Sequence, residues 1–116
     1  MKFKYFDISE FDCQETGNNN MSEGFIHKLD ALREACGFPF KITSGYRDPS
    51  HSIERTKRTS GTHSLGIAAD IRIHHGADRY TIVQTALSLG FTGIGIAKTF
   101  VHVDVRESTP VIWTYS

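Results

Sequence analysis

"GTHSLGIAADIRI", residues 61–73, decides how this chain is read. Its second half, "IAADIRI" at 67–73, has the apolar composition of a buried strand, yet Asp70 stands in its middle. Asp is almost never fully buried unless it is paired or bound to a metal. His63 lies seven residues earlier, behind a glycine and a threonine. The question is what neutralises Asp70.

A second stretch supplies an answer. "FVHVDVR", residues 100–106, alternates strictly, so His102 and Asp104 point to one face of a strand and Val101, Val103 and Val105 to the other. Three valines specify a buried face. The histidine and aspartate opposite them specify solvent or a site. If this strand lies near "IAADIRI", then His63, Asp70 and His102 converge. Two imidazoles and a carboxylate suit Zn²⁺, and three protein ligands leave a fourth position open for water. Taken singly, the same residues also fit a plainer arrangement. Asp70 would cap a turn or pair with Arg72 or Arg106, and His102 would sit on a solvated strand surface.

A length of 116 residues suits one domain, 1–116, with a single core. Thirteen basic residues balance thirteen acidic ones, so composition gives no argument for a nucleic-acid or anionic-membrane partner. Cys13 and Cys36 are too few for a disulfide framework, and plain packing is expected for them. "MKFKYFDISEFDCQ" at the start carries charges throughout and has no long apolar core, so no signal peptide is expected. No segment approaches the ~18 apolar residues of a membrane helix. A soluble chain is expected.

The remaining segments read as alternating helices and strands. "GNNN" at 17–20 signals a turn, after which Asn20, with Glu23 three residues on, is expected to cap a helix. Phe25, Leu29, Leu32 and Cys36 form its apolar stripe, and Gly37 ends it. "FKIT" at 40–43 reads as a strand. A long polar loop covers 44–62, and long loops in small domains are usually functional or disordered. A second helix is expected from about Asp78 to Leu89, with Val83, Ala86 and Leu87 inward. "GIGIA" and "FVHVDVR" read as a β-hairpin around Lys98 and Thr99. The tail "PVIWTY" is expected as an extended segment packed on the core. The class is α+β, a small antiparallel sheet with helices packed on it.

Three motifs occur in order: "SGYR" at 44–47, "GTHSLGIAADI" at 61–71 and "FVHVDVR" at 100–106. Together they resemble the zinc D-alanyl-D-alanine carboxypeptidase-like peptidases, a group that includes phage L-alanyl-D-glutamate endopeptidases. The likeness is to the short, single-domain branch found in phages and prophages. It implies a hedgehog/D-Ala-D-Ala-peptidase-like fold, with His63, Asp70 and His102 as Zn²⁺ ligands and Arg47 facing substrate beside the metal. Gly66 and Ala68 match small residues of the central motif. Many members carry an acidic general base just before the last ligand, where this chain has Lys98 and Thr99. Asp104 is the candidate base here, or else it orients His102.

The resemblance further implies hydrolysis of the peptide stem of peptidoglycan by a monomer that engages neither nucleic acid nor membrane. Such a protein would wait in the host cytoplasm until lysis or ride on the virion. The alternatives are a non-catalytic zinc-stabilised binding module, as in hedgehog signalling domains, or a structural virion component. His51, His74 and His75 lie outside the motifs, Tyr46 is expected to pack in its loop, and "ERTKRTS" at 54–60 is expected to form a mobile rim.

Overall fold

Among the described residues a five-stranded sheet carries the site, and its strand order puts the two motif strands side by side. The computed structural model describes residues 3–47 and 61–115. Its strands are β1 (Ile42–Ser44), β2 (Ala68–Arg72), β3 (Gly93–Ile96), β4 (Phe100–Asp104) and β5 (Val111–Thr114), in the order β1-β2-β4-β3-β5. β4 is therefore central, hydrogen-bonded to β2 on one side and β3 on the other. The register sets Asp70 opposite His102 and Ala68 opposite Asp104 across the β2–β4 pair. His51 and the "ERTKRTS" segment lie outside the described residues.

The pleat sorts the two faces as the alternation predicts. Ala69, Ile71, Ile94, Val101 and Val103 join the apolar core, while Asp70, His102 and Asp104 alternate with them along their strands. Among the described residues two α-helices, α1 (Glu23–Cys36) and α2 (Gly76–Ser88), and a short 3₁₀ helix at Ile8–Phe11 complete the α+β architecture. Phe25, Ile26, Leu29 and Leu32 of α1 and Ile82 and Ala86 of α2 are buried. Val83 is half-buried and Leu87 is exposed, so the inward face of α2 is narrower than its sequence suggests.

Three features differ from the sequence reading. The α1 cap is Ser22, whose hydroxyl accepts from the Phe25 N–H at 3.2 Å, and not Asn20. Tertiary docking sets this start: the Ser22 N–H donates to the Gly66 carbonyl at 2.8 Å, and Met21 is buried. Gly66 has φ +75°, and a Cβ there would meet the Asn20 carbonyl oxygen at 2.3 Å. Only glycine fits so close a crossing with positive φ.

The sheet is mixed rather than wholly antiparallel, because β5 pairs parallel with β3. The chain reverses after β4, crosses the end of β3 and returns beside it, which makes β5 an edge strand. Val111 and Ile112 are exposed, so this tail does not pack on the core as expected. The N-terminal segment does instead. Phe3, Phe6, Phe11 and Cys13 are buried, and Asp30 of α1 accepts the Lys4 and Tyr5 N–H groups at 3.0 Å each. Both cysteines are free thiols, as packing residues would be.

Candidate metal centre

The central motif builds the site from a turn and a strand. His63 lies in the turn at 62–66 that leads into β2, and Asp70 and His102 face each other from β2 and β4. Asp70 Oδ1 is 3.3 Å from His63 Nε2 and 3.0 Å from His102 Nδ1. Each of the three residues offers one ligand atom, all within 4.8 Å of one another, and all three side chains are buried. Asp70 is thus not paired with Arg72 or Arg106, and His102 is not a solvated surface residue.

The other nitrogen of each ring decides what the centre can hold. His63 Nδ1 is 2.8 Å from the Gly45 carbonyl, which can only accept, so Nδ1 carries the proton. His102 Nε2 is 2.7 Å from Asp104 Oδ2, and a carboxylate likewise calls for the proton on Nε2. In the neutral rings, His63 Nε2 and His102 Nδ1 are then bare lone pairs aimed at an ionised carboxylate. Three acceptors converge with no donor among them. A proton on a ring or a metal cation must sit there, and an N,O,N set with both remote nitrogens anchored suits Zn²⁺.

The ionisation of the groups follows. Burial pushes the Asp70 carboxyl up, but the His102 and His63 rings, which donate hydrogen bonds to it when protonated, outweigh burial and lower it to about 2. Burial pushes the His102 ring down, yet its bonds to Asp104 and Asp70 leave it raised above the ordinary histidine value. Burial also works against ionisation of Asp104, but His102 and Arg106 together hold that carboxyl well below the usual range.

Asp104 is fully buried and both its oxygens are engaged. Oδ1 accepts from the Arg106 backbone N–H and from Nε at 3.0 Å each, and Oδ2 accepts from Arg106 Nη2 at 2.7 Å as well as from His102. It contacts the His102 nitrogen remote from Asp70.

The β3 sequence "GIGI" makes room for this arrangement. Gly93 is in register with Asp104 and Gly95 with His102. A Cβ at Gly93 would lie 2.1 Å from Asp104 Oδ1, and one at Gly95 would lie 2.7 Å from Trp113 Cε2. The Trp113 ring of β5 lies 5.0 Å from the His102 ring, tilted against it by 53°, with the Arg106 guanidinium 5.0 Å from its own ring.

His63, Asp70, His102, Arg106 and Trp113 line a cleft of about 1090 Å³ that also takes in Arg47, Leu65 and Tyr115. Arg47 is held from both sides: its N–H donates to the His63 carbonyl at 3.2 Å, its carbonyl accepts from the Ser64 hydroxyl, and Nη2 reaches Ser44 Oγ at 3.3 Å. His74 and His75 are exposed at the start of α2, away from the cleft lining. Tyr46 is buried in the core.

From sequence, Arg106 reads only as a possible partner for Asp70, and Trp113 and the two β3 glycines are not assigned to the site. The signal for Arg106 was present, since it continues the 102, 104, 106 alternation. Trp113 had none, because its place depends on the parallel β5 pairing.

The family model for Peptidase M15 matches residues 4–104. That span contains Arg47, the three candidate ligands and Asp104, and stops short of Arg106 and Trp113. No curated protein matches the chain.

Proposed function

This chain belongs to the M15 peptidase family, and from that premise we propose that it is a zinc-dependent peptidase acting on the peptidoglycan stem. The bond would be of the D-Ala-D-Ala carboxypeptidase or L-Ala-D-Glu endopeptidase type, and the biological role that of a phage lysin, held in the host cytoplasm until lysis or carried on the virion. The observation that carries the reading is the convergence of His63 Nε2, Asp70 Oδ1 and His102 Nδ1 in a cleft that Arg47 also lines.

When bound, Zn²⁺ supplies Lewis acidity, and it lowers the pKa of a coordinated water from ~15.7 towards ~7. The chain's own residues supply the rest. Gly45 and Asp104 fix the ring tautomers of His63 and His102, so that both present lone pairs on the metal side. Arg47, always charged and planar, lines the same cleft and in this reading would meet the oxygen that gains charge as the peptide carbonyl is attacked, or a substrate carboxylate.

Asp104 serves in this reading to orient His102, because both its oxygens are already occupied on the side away from Asp70. The expected partner is the stem peptide, met by a monomer that engages neither nucleic acid nor membrane. Among the described residues no helix is long and apolar enough to cross a membrane.

The engagement of Asp104 also favours a second reading. A centre without a free acidic base suits a non-catalytic zinc-stabilised binding module or a structural virion part. Mass spectrometry of purified peptidoglycan fragments after incubation with the zinc-loaded protein decides between them. Cleavage at one defined stem bond is expected, and intact fragments with full zinc occupancy would leave the binding module.

A further inference from the structure

We propose that Arg106 anchors a carboxylate of the bound peptide, which makes an anionic peptide the preferred substrate of this cleft. The proposal rests on the peptidase reading above and adds the group that selects the substrate. Arginine carries five N–H donors in a planar fork. Arg106 uses Nε–H and one hydrogen of Nη2 on Asp104. Nη1 makes no hydrogen bond among the described residues, so its two hydrogens and the second on Nη2 remain. That outer edge has the spacing that receives a second carboxylate bidentately.

The guanidinium is also fixed before any ligand arrives. The buried Asp104 carboxylate holds one edge, and the Trp113 ring lies 5.0 Å from its central carbon. The side chain is 26% exposed and lines the cleft, so a bound peptide can meet it there. A planar cation held in this way loses little side-chain entropy on binding. Asp104 and Trp113 also touch His102, so the anchor is tied to a candidate metal ligand. Leu65, 60% exposed in the same cleft, and Trp113 offer apolar surface for a small side chain such as alanine next to that carboxylate. Glu107 is acidic and exposed on the rim, and it disfavours a second anion there.

The test uses stem pentapeptides, L-Ala-γ-D-Glu-L-Lys-D-Ala-D-Ala, in pairs that differ by one group. One pair has the C-terminal carboxylate or its amide, the other the D-Glu α-carboxylate or its amide. The ratio of kcat/KM for acid over amide is measured on zinc-loaded wild type, Arg106→Gln and Arg106→Lys. The wild type is expected to favour the acid of one pair by on the order of tenfold to a hundredfold, mainly through KM. Arg106→Gln should bring that ratio close to one, and Arg106→Lys should keep part of it.

Each ratio compares two substrates on one protein, so lost zinc or a misplaced His102 cancels. An unchanged ratio in Arg106→Gln, or no preference in the wild type, overturns the proposal. Calorimetric binding of the same peptides separates it from the peptidase reading. An Arg106-dependent preference for the acid without turnover would keep the anchor and remove the enzyme. If Arg106→Gln fails to fold, Arg106→Lys carries the comparison.

Discussion

The carboxylate of Asp104 lies against the backbone of Gly93 on the neighbouring strand, where a Cβ would come within 2.1 Å of Oδ1. No flexible chain end can yield there, because the carboxylate is held by Arg106 and His102. Gly93→Ala must therefore push Asp104 off the His102 nitrogen or part the strands. Overpacking of this kind costs about 1–3 kcal/mol. Zinc affinity should fall about 10–100-fold with the loss of the orienting bond. Thermal melting and zinc titration of the one variant check both, and a variant with unchanged zinc affinity would mean that Asp104 does not act through His102.

Metal removal should destabilise the whole domain. His63 comes from a turn, Asp70 and His102 from two paired strands, so a cation shared among them ties these elements together. A ligand that binds only the folded state at about 1,000 times its Kd adds about 4 kcal/mol. For a domain of this size chelation should then lower the melting temperature by on the order of 10 °C. A melting curve unchanged by EDTA, with zinc loss verified, would count against a shared cation.

Most of this architecture was legible in local pattern. The alternation in "FVHVDVR" predicted which face holds His102 and Asp104, and Gly37 marked the end of α1, because pleat and left-handed caps are set by neighbours in sequence. What failed depended on distant contacts. The α1 start moved from Asn20 to Ser22 because Gly66, forty-odd residues away, docks against it. β5 became a parallel edge strand because of how the chain reverses after β4, and this put Trp113 against His102. Arg106 looked like a partner for Asp70 but took Asp104 instead, since strand parity brings positions 104 and 106 to one face.

pH should act with opposite signs on the two sides of neutrality. Asp70 is lowered to about 2 in the folded protein, against an unfolded value of ~3.9. The stability it adds is full above the unfolded value and is lost as pH falls from about 4 towards 2. His102 is raised, so in zinc-free protein its contribution is full below ~6.5 and is lost as pH rises through the higher folded value. Zinc reverses that alkaline loss, because it takes the Nδ1 lone pair that a proton would otherwise occupy. The rise in melting temperature on adding zinc should therefore be small at pH 5 and larger at pH 8. An increment independent of pH would show that protons and zinc do not compete for His102.

Asp104→Asn separates the two roles open to this residue. Asn keeps the size, and its Oδ1 can still accept from His102 Nε2, but the charge that polarises the ring and pairs with Arg106 is gone. If Asp104 orients His102, zinc affinity should drop about 10–100-fold, while kcat at saturating zinc stays within about tenfold of wild type. If it were instead the general base, zinc affinity would hold and kcat would fall about 10²–10⁴-fold. The geometry favours the first outcome. A base must reach the water beside the scissile carbonyl, within hydrogen-bond distance or through one further water. Asp104 is fully buried and spends both oxygens on Arg106 and on the ring nitrogen remote from Asp70. Measuring zinc affinity and hydrolysis on the same preparation distinguishes these results. Unchanged values of both would remove Asp104 from the machinery and turn attention to Glu107, the other acidic side chain besides Asp70 among the described residues of the cleft.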